Sequence, residues 1–106
     1  MRIELTEILW LEQHSLTQEQ LAELSLLPPA VLEQLIGAGS IAPLEGGASP
    51  RFGAVALSVA RRARRLRDDF ELDAQGLMLA LALLDRVSEL EAQLRELRAK
   101  HPGRAR

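Results

Sequence analysis

The chain has no cysteine, and its 106 residues include only two histidines, one tryptophan and two phenylalanines. Without thiols, disulfides and thiolate-bound metals are excluded, and His14 and His101 stand isolated, so no metal cluster is expected. No apolar run approaches the roughly 20 residues of a membrane-spanning helix; the longest is Gly76 to Leu84. The first residues alternate charged with apolar side chains and lack the apolar core of a signal peptide. A cytoplasmic protein with no membrane association is the expectation. Ser, Thr and His occur without the arrangement of a catalytic triad, and there is no glycine-rich phosphate loop. Neither an enzyme nor a cofactor is expected.

The scarcest resource is positive charge in the first half. Residues 1–50 hold one cation, Arg2, against Glu4, Glu7, Glu12, Glu19, Glu23, Glu33 and Glu45, a net charge of −6. Residues 51–70 reverse the sign to +4, with six arginines against Asp68 and Asp69, and residues 71–106 balance. Such segregation bears on partners more than on fold.

What the chain does have is leucine, 22 of them, enough for a core in a single domain of this length. Ile3, Leu5, Ile8, Leu9, Trp10 and Leu11 form a short apolar lead-in, read as a strand or an irregular segment. Trp10 is either a core plug or, if exposed, a binding anchor. A helix start follows: Thr17 as N-cap, Gln20 closing a capping box, and Leu16 with Leu21 as a hydrophobic staple. Leu21 and Leu24 are expected to face inward. Pro28 and Pro29 suit a helix start, Val31, Leu32, Leu35 and Ile36 recur at helical spacing, and Gly37 and Gly39 supply a stop. Two short helices so joined make a helix-turn-helix. Ile41 to Phe52, turning at Gly46-Gly47, predicts a small β hairpin or wing.

A third helix is expected next. Its buried stripe is Val55, Val59, Ala63, Leu66 and Phe70, and its other face carries Arg61, Arg62, Arg64, Arg65 and Arg67, with Arg64/Asp68 and Arg65/Asp69 pairs. That basic face is solvated, paired with the acidic half of the chain, or a contact for an acidic partner. Asp73 caps a fourth helix from about Ala74 to Lys100, roughly 40 Å long. Its first turns, Leu77 to Leu84, are apolar nearly all round. Beyond Asp85 they thin to a heptad seam of Leu83, Val87, Leu90, Leu94 and Leu97, which calls for a second helix. We read a mainly α fold divided into a winged-helix domain at 1–72, a dimerisation helix at 73–100 and a flexible tail at 101–106.

Shape and charge conflict in this reading. A helix-turn-helix that reads DNA needs basic and polar side chains on its second helix and phosphate contacts around it. Here that helix offers Glu33 and Gln34, and the wing has only Arg51. DNA binding is therefore disfavoured, and a scaffold for protein binding is preferred.

The run Thr-Gln-Glu-Gln-Leu-Ala-Glu-Leu-Ser, a short turn, Leu-Glu-Gln-Leu-Ile-Gly-Ala-Gly-Ser-Ile-Ala-Pro, then Arg51-Phe52 and a helix resembles the MerR-type winged helix. The segment Arg-Leu-Arg-Asp-Asp-Phe-Glu-Leu-Asp at 65–73, followed by the leucine-rich helix, is similar to the chaperone modulatory protein CbpM family, a divergent MerR-like group. The resemblance implies an inhibitor that binds the J-domain of CbpA, a DnaJ-like co-chaperone, and blocks its stimulation of the DnaK ATPase. J-domains present a basic helical face to DnaK, and an acidic surface competes for it. Glu12, Glu19, Glu23 and Glu33 are the contact residues assigned from charge, with Asp68, Asp69 and Glu71 as a second cluster. The alternatives are a MerR-type DNA-binding regulator using Arg51 and the 61–67 arginines, and a dimeric adaptor with another protein partner.

Overall fold

A computed structural model of the chain describes residues 5–101. Five helices follow one another: α1 (Leu5–Gln13), α2 (Gln18–Ser25), α3 (Pro29–Gly37), α4 (Ala54–Phe70) and α5 (Ala74–Lys100). The apolar lead-in is thus a helix, contrary to the strand or irregular segment expected. Ile3, Glu4 and the residues after His101 lie outside the described part.

The capping expected before α2 is present in full. The Thr17 hydroxyl accepts from the Gln20 backbone N–H at 3.1 Å, and the Thr17 N–H donates to Gln20 Oε1 at 2.9 Å. Leu16 and Leu21, the staple pair, are both buried. Between α2 and α3 the chain turns within three residues, through Leu26 in the left-handed region (φ 63°). Its N–H donates to the Ala22 carbonyl at 2.9 Å, so the last turn of α2 is closed despite the absence of glycine. Pro29 opens α3 as its first residue, and Gly39 (φ 83°) takes the left-handed position that ends it.

Leu21, Leu32, Leu35, Ile41, Phe52, Leu57 and Leu77 are the largest fully buried side chains. α4 is the pillar of this core, packed on α1, α2 and α5. It meets them through Ala56, Leu57, Ala60 and Ala63, with Val59 and Leu66 half-buried beside them. The expected stripe was therefore placed too far round the helix: Val55 and Phe70 are 79% and 67% exposed. Small alanines sit at the contact because they let helix axes approach closely, an advantage that hydrophobicity alone does not reveal. Leu24 is likewise 45% exposed instead of facing inward.

The wing is reduced. Among the described residues, β pairing consists of two isolated antiparallel bridges, Leu16 with Phe52 and Glu45 with Arg51. The second closes a loop through Gly47 (φ 85°), with Leu44 N–H bonded to Arg51 O at 2.7 Å. Proline and glycine crowd this segment, so too few N–H groups and side chains remain to extend a ladder.

Asp73 caps α5 as expected, accepting from Gly76 N–H at 2.8 Å. Leu77 and Leu81 anchor its start in the core, against α3 and α4. From residue 82 to residue 101 every position is exposed. The helix leaves the body of the protein, which lifts the radius of gyration to 16.0 Å, against roughly 13 Å for a globular chain of this length.

Candidate partner-binding surface

α1, α2 and α3 together contain no Lys or Arg, while Glu7, Glu12, Glu19, Glu23 and Glu33 lie on them. Glu12, Glu19, Glu23 and Glu33 are all exposed. Their carboxylates form no ion pair among the described residues.

Glu19 and Glu23 stand one turn apart on the same side of α2. Both line a groove of about 360 Å³ between α2 and α3, floored by Ala22, Leu27 and Leu32. Glu23 also edges a second groove of about 430 Å³ between α1 and α2, and so forms the ridge between the two. Glu12 and Glu33 line neither groove. Glu12 instead borders a polar hollow with Glu45 and Arg51, and Glu33 projects from α3. The structure thus brings Glu19 and Glu23 into one site and sets Glu12 and Glu33 at other positions of the same acidic half.

The second cluster is a different environment. Asp68 is bound to Arg64 at 2.8 Å and lies 4.0 Å from Arg67, so its charge is locally neutralised. Asp69 shares a shallow hollow with Arg62, Arg65 and Phe70, but it forms no ion pair with Arg65, contrary to the pairing expected. Glu71 ends α4 in a left-handed conformation (φ 53°). These carboxylates belong to the arginine helix and do not extend the acidic surface.

Two arginines assigned to DNA in the alternative reading are engaged inside the fold. Arg51 Nε donates to Ser15 Oγ at 2.8 Å and Nη2 to the Ser15 carbonyl at 2.7 Å, which pins the reduced wing to the segment joining α1 and α2. Arg61 grips Glu7 through two parallel bonds of 2.9 Å, joining α4 to α1. Part of the segregated charge therefore closes on itself. Glu7 was not singled out among the contact residues, since nothing in the spacing from 7 to 61 announces a partner 54 positions away.

Trp10 is 48% exposed, which settles it as a surface aromatic. Its ring stacks on His14 at a centroid distance of 4.2 Å and an interplanar angle of 10°. The His14 Nδ1 hydrogen-bonds the Trp10 carbonyl at 2.8 Å. On α5, Leu83, Val87, Leu90, Leu94 and Leu97 are each about half-exposed along the projecting part of the helix. Among the described residues there is no helix long and apolar enough to cross a membrane, and no group of His, Cys, Asp or Glu that could hold a metal ion.

Comparison with known proteins follows the same outline. The chain is 40% identical over 67 residues to the chaperone modulatory protein CbpM of Salmonella arizonae, covering 62% of this chain and 66% of that one. It is also 40% identical over 65 residues to the proteins of that name from Salmonella paratyphi B and Salmonella newport, covering 60% of this chain and 64% of theirs. It therefore spans just under two thirds of the length of these relatives. They are named as chaperone modulators, not as enzymes. Residues 16–99 match the family described as MerR HTH family regulatory protein, from the cap of α2 almost to the end of α5. The chain belongs to this MerR helix-turn-helix family.

Proposed function

We propose that this protein is a chaperone modulator that binds the J-domain of a CbpA/DnaJ-type co-chaperone and prevents it from stimulating DnaK. The observation that carries the reading is a helix-turn-helix surface without a single cation on α1, α2 or α3, with Glu19 and Glu23 side by side over an apolar groove. A phosphate backbone would be repelled by that surface, whereas a basic helix would be steered to it. The similarity to proteins named chaperone modulatory protein CbpM supports the same reading. Glu12 and Glu33 widen the field that guides encounter, and Glu19 and Glu23 make the close contacts. The exposed seam on α5 supports a homodimer, which places two acidic surfaces in one particle.

Titration of the purified protein with an isolated J-domain of this class, and separately with duplex DNA, tests the proposal at low and moderate salt. The expected result is J-domain binding at micromolar concentrations that weakens with salt, and no comparable DNA binding. The DNA arm has a concrete rival to exclude: Arg62 and Arg65 are exposed on α4, and the family is described as regulatory. Tight duplex binding without J-domain binding would replace the proposal by that rival.

A further inference from the structure

The groove between α1 and α2 has a composition unlike the rest of the acidic half. Its walls are Trp10, Leu11, Leu16, Leu24 and Leu57, with Glu7 and Glu23 at the rim. Leu11, Leu16 and Leu57 are buried and form a fixed floor, while Trp10 and Leu24 stand about half-exposed on either side. Trp10 is held against His14 by stacking and cannot fold down to close the opening without losing that contact. Thr6 and Gln20 complete the lining, but the buried floor is entirely leucine, so the groove suits an apolar side chain better than a small polar metabolite. α1 also lies ahead of the stretch matched by the family, which begins at residue 16.

We infer that this groove is the apolar anchor of the docking surface, receiving an aliphatic side chain projected from the basic helix of the J-domain between Trp10 and Leu24. The inference rests on the proposed J-domain reading and adds to it where affinity resides. Charge complementarity selects the occupant. On the rim Glu7 is held by Arg61 from α4, so the open anionic charge is that of Glu23, with Glu19 one turn away and no cation on α1 to α3; a helix bearing both cations and an aliphatic residue satisfies rim and floor together. The seam of a second copy's α5 is a poorer match, because its flanks carry both signs in balance, with Arg86, Glu89, Glu91, Arg95, Glu96 and Arg98. Division of labour follows: glutamates govern the rate of encounter and its salt dependence, whereas the groove governs residence time.

Trp10 is the single tryptophan of the chain, which makes it a reporter placed in the site. Fluorescence titration with an isolated J-domain lacking tryptophan is expected to shift Trp10 emission to shorter wavelength as the groove is covered. Leu24→Gln, which leaves charge unchanged at a half-exposed site, should weaken binding about tenfold at both low and high salt. Phe70→Gln, at an apolar and more exposed site on α4, should bind as wild type does. J-domain binding with unchanged Trp10 emission and undiminished affinity of Leu24→Gln overturns the groove assignment while leaving the proposed function standing. Absence of any J-domain binding overturns both. An emission shift that follows the protein's own concentration, without J-domain, assigns the groove to a second copy and also overturns the inference.

Discussion

Replacing Leu90 and Leu94 together by glutamine should convert a dimer into monomers without unfolding the helix that carries them. Glutamine is nearly as good a helix former as leucine, so α5 itself should persist. In the isolated chain Leu90 and Leu94 are 47% and 45% exposed. Full burial of a leucine contributes roughly 1.5–3 kcal/mol, so covering the remaining half against a second helix contributes about 1 kcal/mol per side chain. Two residues on each of two helices amount to about 4 kcal/mol, or roughly a thousandfold in the dissociation constant. Sedimentation equilibrium over a dilution series measures that constant, and circular dichroism checks that helix content is retained. The reasoning fails if the wild-type protein is monomeric throughout the series. It fails equally if the double variant dissociates at the same concentration as wild type.

Three further outcomes are expected. Arg61→Met or Glu7→Gln should destabilise the fold by about 1–3 kcal/mol, because each breaks the two charge-assisted bonds of a bidentate, partly buried pair; a double-mutant cycle by denaturant unfolding should return a coupling, and strict additivity would show that the pair is mere surface decoration. Thr17→Ala removes one arm of the capping box and should cost about 1 kcal/mol. Thermal melts in the Leu90/Leu94 variant background keep self-association from masking the loss, and an unchanged melt would contradict it. Reversal of Glu19 and Glu23 to lysine should slow association with the J-domain and flatten its salt dependence; stopped-flow rates equal to wild type would move the contact away from α2.

The features that could be read from the chain were those carried by short-range signals. Thr17 with Gln20, and Asp73 ahead of α5, announce helix starts through side chains that bond backbone N–H groups three residues on. The 4-3 spacing from Leu83 to Leu97 announces the seam. The misread features depend on which neighbour arrives. α1 has apolar residues at all four positions 8–11, so no helical period stands out, and only docking of Leu11 and Glu7 on the rest of the fold selects a helix. On α4 the larger Val55 and Phe70 drew the buried stripe toward themselves, whereas close approach to α2 required Ala56, Ala60 and Ala63. Of the proposed site, the charge of Glu19 and Glu23 is visible in the chain, but the grooves beside them exist only once α1, α2 and α3 are packed. The pairing of Asp68 with Arg64 was readable from their i, i+4 spacing.

The central claim is that the acidic helix-turn-helix occupies the surface through which a J-domain reaches DnaK. Its most direct test is the rate of ATP hydrolysis by DnaK stimulated by a CbpA-type co-chaperone, measured with increasing amounts of this protein. The account predicts a fall to the unstimulated rate with wild type, recovery when J-domain is added in excess, and little effect from the Glu19/Glu23 reversal variant. A stimulated rate that wild type leaves unchanged, or an equal fall in DnaK activity without any co-chaperone present, would contradict it.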